Sequence, residues 1–313
     1  MSKDGNIGVS NFFDFLCCVF SRIDYVEDPL NIFLISGVFR ILPDEIINSL
    51  SKISDTNFTI EDEKVFPKNL LTRDGNTSIN FIEYAKRINE LIENTSKGPD
   101  YKKETDENLK IISIADSNYG NVLIIGHKLL PNFVFVSYRG TYSTKTAASY
   151  SNPSSIFPFL VDITMQKKML KGIAKITMEI IHTIFHAMEY MAEFLKESNK
   201  DIRPIPVFTG HSLGGGMATI ASDAYCSLVQ KKNKKDVFHT YGLNDKAICI
   251  SFGSPRVLNE IASQELCSFV VNNSLIFHRF SNHGDPVTSL PPPGFGFYHP
   301  CSSKNDKLKY NNI

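Results

Sequence analysis

Apolar residues recur along this chain in two periods, and the change from one to the other divides it. Phe81, Ile82, Ala85, Ile88, Leu91 and Ile92 repeat at helical spacing, because side chains three and four positions apart share one face of an α-helix. An earlier cluster, Phe12, Phe13, Phe15, Leu16, Cys17, Cys18, Val19 and Phe20, is interrupted by Asp14 and predicts a buried or surface-docked helix. The run from Ile32 to Leu42 is broken by Ser36, Gly37 and Arg40 and is too short to span a bilayer. Residues 1–105 therefore read as a mainly helical region. The stretch 95–108, with Gly98, Pro99 and several charges, reads as a linker or loop.

Beyond it the pattern shortens. Apolar runs at Ile111–Ile114, Val122–Ile125, Phe133–Ser137 and Pro206–Phe208, with further runs near 247 and 275, have the length and β-branched content of buried strands. Between them, a helix from about Gln166 to Lys196 is predicted to carry Ile173, Ile176, Ile180, Ile184, Met188, Met191 and Leu195 on one buried face. Met217, Ala218, Ile220 and Ala221 continue from a strand as a small-residue helix. Strands alternating with helices predict an α/β core over 106–313, with a central, mostly parallel sheet and helices on its faces. In such a sheet, sites form at the carboxyl edge.

Composition narrows the function. Lys plus Arg equals Asp plus Glu at 33 each, which leaves no broad cationic field for a nucleic acid. The run Lys231-Lys232-Asn233-Lys234-Lys235 reads as a solvated loop. Six cysteines in 313 residues do not make a disulfide scaffold, and Cys226 and Cys249 suit burial as free thiols. His182 and His186 share a helix face, but no acidic residue completes a metal motif around them, so no metal or other cofactor is expected. His127 and His239 have no informative neighbours, and His278 sits in an apolar run that suits partial burial. Asp4 and Asp14 argue against a signal peptide, so the expectation is an intracellular chain. The sequons at Asn57, Asn76 and Asn94 matter only if it is secreted.

The chemistry concentrates in Val207-Phe208-Thr209-Gly210-His211-Ser212-Leu213-Gly214-Gly215-Gly216. This is a G-x-S-x-G frame between a strand and a helix, the nucleophile elbow of an α/β hydrolase, which marks Ser212 as nucleophile and the Leu213 N–H as an oxyanion donor. Three further segments extend the likeness: Phe133-Val134-Phe135-Val136-Ser137-Tyr138-Arg139-Gly140-Thr141, Ala247 to Asn259 with its Phe252-Gly253-Ser254-Pro255-Arg256-Val257 turn, and Arg279 to Pro292. With these in order around the elbow, the chain resembles the class 3 lipases, typified by fungal triacylglycerol lipases. The resemblance implies that Thr141 helps build the oxyanion hole, that Asp285 is the acid of the triad, and that residues 142–165 occupy the lid position. There the apolar Ile156, Phe157, Phe159, Leu160 and Val161 suit either a lid or a fixed wall.

A departure stands beside the likeness. The family's catalytic histidine lies several tens of residues beyond the aspartate, whereas here only His299 follows Asp285. Two readings stay open. In one, His299 is the base and the chain hydrolyses glycerolipid esters, triacylglycerol or phospholipid, with transient contact to a membrane surface. In the other, the base is lost and a lipase-like protein binds or scaffolds, with a protein partner at the helical N-terminal region.

Overall fold

The computed structural model describes residues 6–7, 9–25, 30–51, 79–80, 86–88, 90–91, 106–116, 120–140, 158–162, 166–198, 200–231, 242–282 and 284–301. Asn6–Ile7 (β1) pairs antiparallel with Ile79–Asn80 (β2). The described residues of the N-terminal region include the helices Val9–Ile23 (α1), Leu30–Arg40 (α2) and Asp44–Leu50 (α3). The core then runs through Leu109–Asp116 (β3), Gly120–His127 (β4), Phe133–Tyr138 (β5), Pro158–Asp162 (β6), Lys167–Leu170 (β7), Lys171–Lys196 (α4), Ile205–His211 (β8), Leu213–Lys231 (α5), Ala247–Phe252 (β9), Glu260–Val271 (α6) and Leu275–Phe280 (β10).

Six strands make the main sheet, in the order β10-β9-β8-β5-β4-β3. The pairs β10–β9, β9–β8 and β8–β5 are parallel, while β5–β4 and β4–β3 are antiparallel. The central strands are apolar on both faces because helices cover both. On one face, Phe13 and Phe20 of α1 meet Phe133 and Phe135 of β5, with ring centroids 5.1 Å apart for Phe13–Phe133 and for Phe20–Phe135. On the other, Ile184, Met188, Met191 and Leu195 of α4 and Met217, Ile220 and Ala221 of α5 pack on Val134, Val136 and Phe208. The alternation along β5, with Phe133 and Phe135 to one side and Val134 and Val136 to the other, serves both cores.

Polar residues on the N-terminal side are paired. Asp14, which interrupts the apolar cluster of α1, is buried and lies 3.0 Å from Nδ1 of His278 on β10. His127 at the end of β4 is bonded to Asp106 at 3.1 Å and stacked on Phe39 of α2 at 4.2 Å. The apolar residues of α1, α2 and α3 join one core with the sheet. Among the described residues no helix is long and apolar enough to cross a membrane.

The helix expected from about Gln166 begins later, at Lys171. Gln166 has φ +54°, which a right-handed helix does not accept. The next residues find better partners as strand β7, antiparallel to β6. The Leu170 N–H donates to the Val257 carbonyl at 2.8 Å and the Asn259 N–H to that of Lys168 at 2.9 Å. Ile180, expected on the buried face, is only partly covered; Ile181 is buried there instead.

Charge seals the same corner. Lys167 Nζ lies 2.6 Å from Asp223 Oδ2 on α5 and 2.7 Å from Glu265 Oε2 on α6, with Lys167 and Asp223 both buried. Burial pushes the Asp223 carboxyl up to about 6 against the opposing pull of Lys167. Replacing Lys167 by Met removes the cation but leaves two acids behind. It is expected to lower unfolding free energy by roughly 3 kcal/mol in urea titrations, because one member of a buried ion pair stays uncompensated. Apolar replacement of all three residues is expected to recover most of that loss.

Candidate active site

Strand β8 ends at His211, and the chain turns at Ser212 directly into α5. Ser212 sits at φ +56°, a region that costs an L-residue roughly 1–2 kcal/mol. Backbone on every side holds it there. The Ser212 N–H donates to the Phe252 carbonyl of β9 at 2.8 Å, and the Ser212 carbonyl accepts from Gly215 and Gly216 at 3.0 and 3.3 Å. A Cβ on Gly210 would strike the backbone of Gly214, and one on Gly214 would strike the Tyr138 carbonyl. Only glycine lets the helix come this close to β8 and β5. Leu213 is buried and opens α5, where the first N–H groups have no acceptor within the helix.

Because β8, β9 and β10 run parallel, their carboxyl ends share one edge with this turn. Beyond β10 the chain reaches Asp285, whose Oδ1 accepts from the Val287 N–H at 2.9 Å and whose carbonyl accepts from the Thr288 hydroxyl at 2.8 Å. Its Oδ2 lies only 3.0 Å from where a Cβ on Gly253 would be, and Gly253 has φ +59°. Arg256 bonds the carbonyls of Ser289 and Pro291 and so holds the turn after Asp285. It is a brace for the site rather than a loose surface cation.

His211 points to the same corner. Its Nε2 approaches the Gly253 position that Asp285 also faces, and its Nδ1 lies 3.2 Å from the Tyr25 hydroxyl. Burial, reinforced by Arg22, lowers the His211 pKa, and the Asp285 charge opposes that shift. Tyr25 follows α1 and is held in turn by Arg139, which donates to the Tyr25 carbonyl at 3.3 Å and lies over its ring at 5.9 Å. Arg139 is buried. Tyr25 carries no motif in the sequence; only the packing of α1 on the sheet brings it here.

The expected base is seated elsewhere. His299 Nε2 lies 2.9 Å from the Thr288 carbonyl and 3.1 Å from Arg279 Nη2, and the His299 carbonyl accepts from the Ser263 hydroxyl at 2.9 Å. With Nε2 protonated the ring donates to Thr288, and the guanidinium beside it then disfavours a second proton. Burial, with the Arg279 charge next, pushes the imidazole down to about 3. A base poised near neutrality is what proton abstraction at neutral pH requires, so His299 in this seat does not match that expectation. Among the described residues no side chain is hydrogen-bonded to the Ser212 hydroxyl. Thr141 and His283 lie outside the described residues, as does the lid position except for Pro158–Asp162.

A model of the family described as Lipase (class 3) matches residues 135–295. The secreted mono- and diacylglycerol lipase 1 of Fusarium solani is 38% identical over 93 residues, which make up 30% of this chain and 22% of that protein. The chain is also similar to a fungal lipase in an inhibitor complex, at 22% identity and a TM-score of 0.47 over 61% of this chain and 64% of the other. Similarity to the mono- and diacylglycerol lipase of Aspergillus oryzae has 17% identity and a TM-score of 0.44, over 88% of this chain and 78% of the other. The chain thus spans 22% of the length of its Fusarium relative and 64% of that of the inhibitor-bound lipase. The intracellular location expected from Asp4 and Asp14 is overturned by the Fusarium relative, which is secreted. The apolar cluster itself forms the docked helix expected of it, with Asp14 paired to His278.

The seat of His299 has a consequence for pH. Its imidazole falls from the ordinary 6.5 to about 3 on folding, so the unfolded chain binds a proton in that window and the folded chain does not. The resulting stability is present above 6.5 and is lost as pH falls toward 3. Unfolding midpoints from pH 7 to 4 are expected to drop more for the parent protein than for His299→Asn. Equal slopes would show that the ring protonates in the folded state.

Proposed function

The chain belongs to the class 3 lipases, and on that premise we propose that it is a carboxylic ester hydrolase for glycerolipids, triacylglycerol or phospholipid, working through a serine acyl-enzyme. The observation that carries this reading is the turn at Ser212, held at φ +56° on the sheet edge that Asp285 also reaches. In this reading the Ser212 hydroxyl attacks the ester carbonyl. The Leu213 N–H and Thr141, through its N–H and hydroxyl, hold the oxyanion, each well-placed donor contributing about 3 kcal/mol. The alcohol leaves, and water releases the fatty acid. Asp285 is the acid that orients and stabilises the base.

His299 serves as that base by leaving Thr288 and Arg279 and turning toward Asp285, since proton transfer needs a ring within about 3 Å of the hydroxyl. Its observed seat favours a second reading, in which a lipase-like protein binds acyl esters without turning them over. We further propose that the protein acts outside the cell, at a lipid surface; support comes from the secreted Fusarium solani relative.

A fluorophosphonate probe and a chromogenic ester test both readings. Ser212 is expected to be labelled, and Ser212→Ala to lose about 10³-fold or more of the hydrolysis while keeping its circular dichroism spectrum. His299→Ala is expected to fall as far if His299 is the base. Absence of labelling together with unchanged binding to lipid vesicles would replace the hydrolase by the binding protein.

A further inference from the structure

The segment that ends in Cys301 runs alongside helix α6. Tyr298 pairs with Leu258, its N–H donating to the Leu258 carbonyl at 2.7 Å. Phe297 is buried at 1% exposure. One residue on, the His299 carbonyl accepts from the Ser263 hydroxyl on the first turns of α6 at 2.9 Å. Ser263 to Cys267 is one helical turn, a rise of about 6 Å, and the chain after His299 turns at Pro300 and Cys301, the latter at φ +58°. Both cysteines thus lie one step beyond the 263–299 contact, and the Cys301 thiol faces Cys267.

We propose that Cys267 and Cys301 form a reversible disulfide, closed by small disulfide oxidants such as oxidised glutathione, that fastens the segment carrying His299 to α6. Both cysteines are partly exposed, whereas Cys17, Cys226 and Cys249 are buried. An oxidant in solvent thus reaches the 267–301 pair and not the three core thiols. The adjoining backbone is already anchored on both sides of the pair, by the Ser263–His299 bond and by the helix, so closure orders little that is not ordered already.

The chemistry balances as thiol–disulfide exchange. One cysteine, as thiolate, attacks a sulfur of oxidised glutathione and expels glutathione thiolate. The second loses its proton and attacks the mixed disulfide, forming the Sγ–Sγ bond and expelling the second glutathione. Two protein thiols are oxidised, and the two electrons and two protons end on two molecules of reduced glutathione. Either cysteine can make the first attack, the other then resolving the mixed disulfide.

The test uses the whole folded chain treated with oxidised glutathione, then alkylated and digested without reductant. A peptide pair joining Cys267 to Cys301 is expected, cleaved by dithiothreitol. The unfolding midpoint is expected to rise by about 5 °C over the reduced protein, as closing a loop of this length stabilises the chain. The Cys267→Ser, Cys301→Ser double variant is expected to lose that oxidant-dependent rise. Cys301→Ser alone is expected to carry a stable glutathione adduct on Cys267. Free alkylation of both cysteines after oxidation of the native protein, or a cross-link that forms only in urea, would overturn the proposal, as would glutathione adducts on both cysteines without a cross-link. Because these readouts are a covalent bond and a melting temperature, they stand apart from whether the chain hydrolyses esters.

Discussion

Ser212 keeps a conformation that a serine ordinarily avoids, and it does so because backbone closes on it from three strands and a helix. Its N–H is tied to Phe252 of β9, its carbonyl caps the first turn of α5, and Gly210 and Gly214 leave no room for a side chain between β8, α5 and Tyr138 of β5. Strain of this kind persists only where the surroundings over-determine it. The order of the central strands follows from the same contacts, since β5 and β9 must flank β8 for the turn to be held. The start of α5 then presents N–H groups beside the Ser212 turn.

The surrounding structure supports this turn with two kinds of contact. Aromatic packing of α1 against β5 positions Tyr25, which touches His211 and so reaches the residue before Ser212 from the far side of the sheet. Ionic contacts fix the opposite flank: Lys167 joins β7 to α5 and α6, and β7 follows the lid position. A buried cation with two acids is held together by geometry more than by net stabilisation, because desolvation offsets much of the attraction. What it supplies is register for β7, a strand in a stretch whose apolar spacing reads as the start of a helix.

Two histidines near one edge are both held toward the neutral form. At His211 burial, with Arg22, outweighs the Asp285 charge. His299 is enclosed beside Arg279 and held to Thr288, which favours its neutral form. Sequence distance from Asp285 ranks them one way and the fold another. His299, beyond Asp285 in the chain, has its ring on Thr288 and Arg279, while His211, just before Ser212, faces the corner of Asp285.

Much of this was legible in the sequence. The runs at Val122–Ile125, Phe133–Ser137 and Pro206–Phe208 are strands because continuous apolar stretches of that length can be satisfied only inside a covered sheet. Ser212, Gly210 and Gly214 declare the elbow because its sterics admit so few residues. Asp285 was placed by the motif around it, and Pro286 with Gly284 marks its turn. Other features rest on partners far away in the chain, which no local pattern encodes. Strand β7 exists because Val257, Asn259, Asp223 and Glu265 offer hydrogen bonds and charge that a helix would forgo. Tyr25 reaches His211 because α1 docks on β5, and the His299 ring takes the partners it has because Arg279, Thr288 and Ser263 converge on its segment. Local sterics and periodicity act over a few residues and can be read from them; the protonation and direction of a side chain depend on the field of everything packed against it, which only the tertiary structure decides.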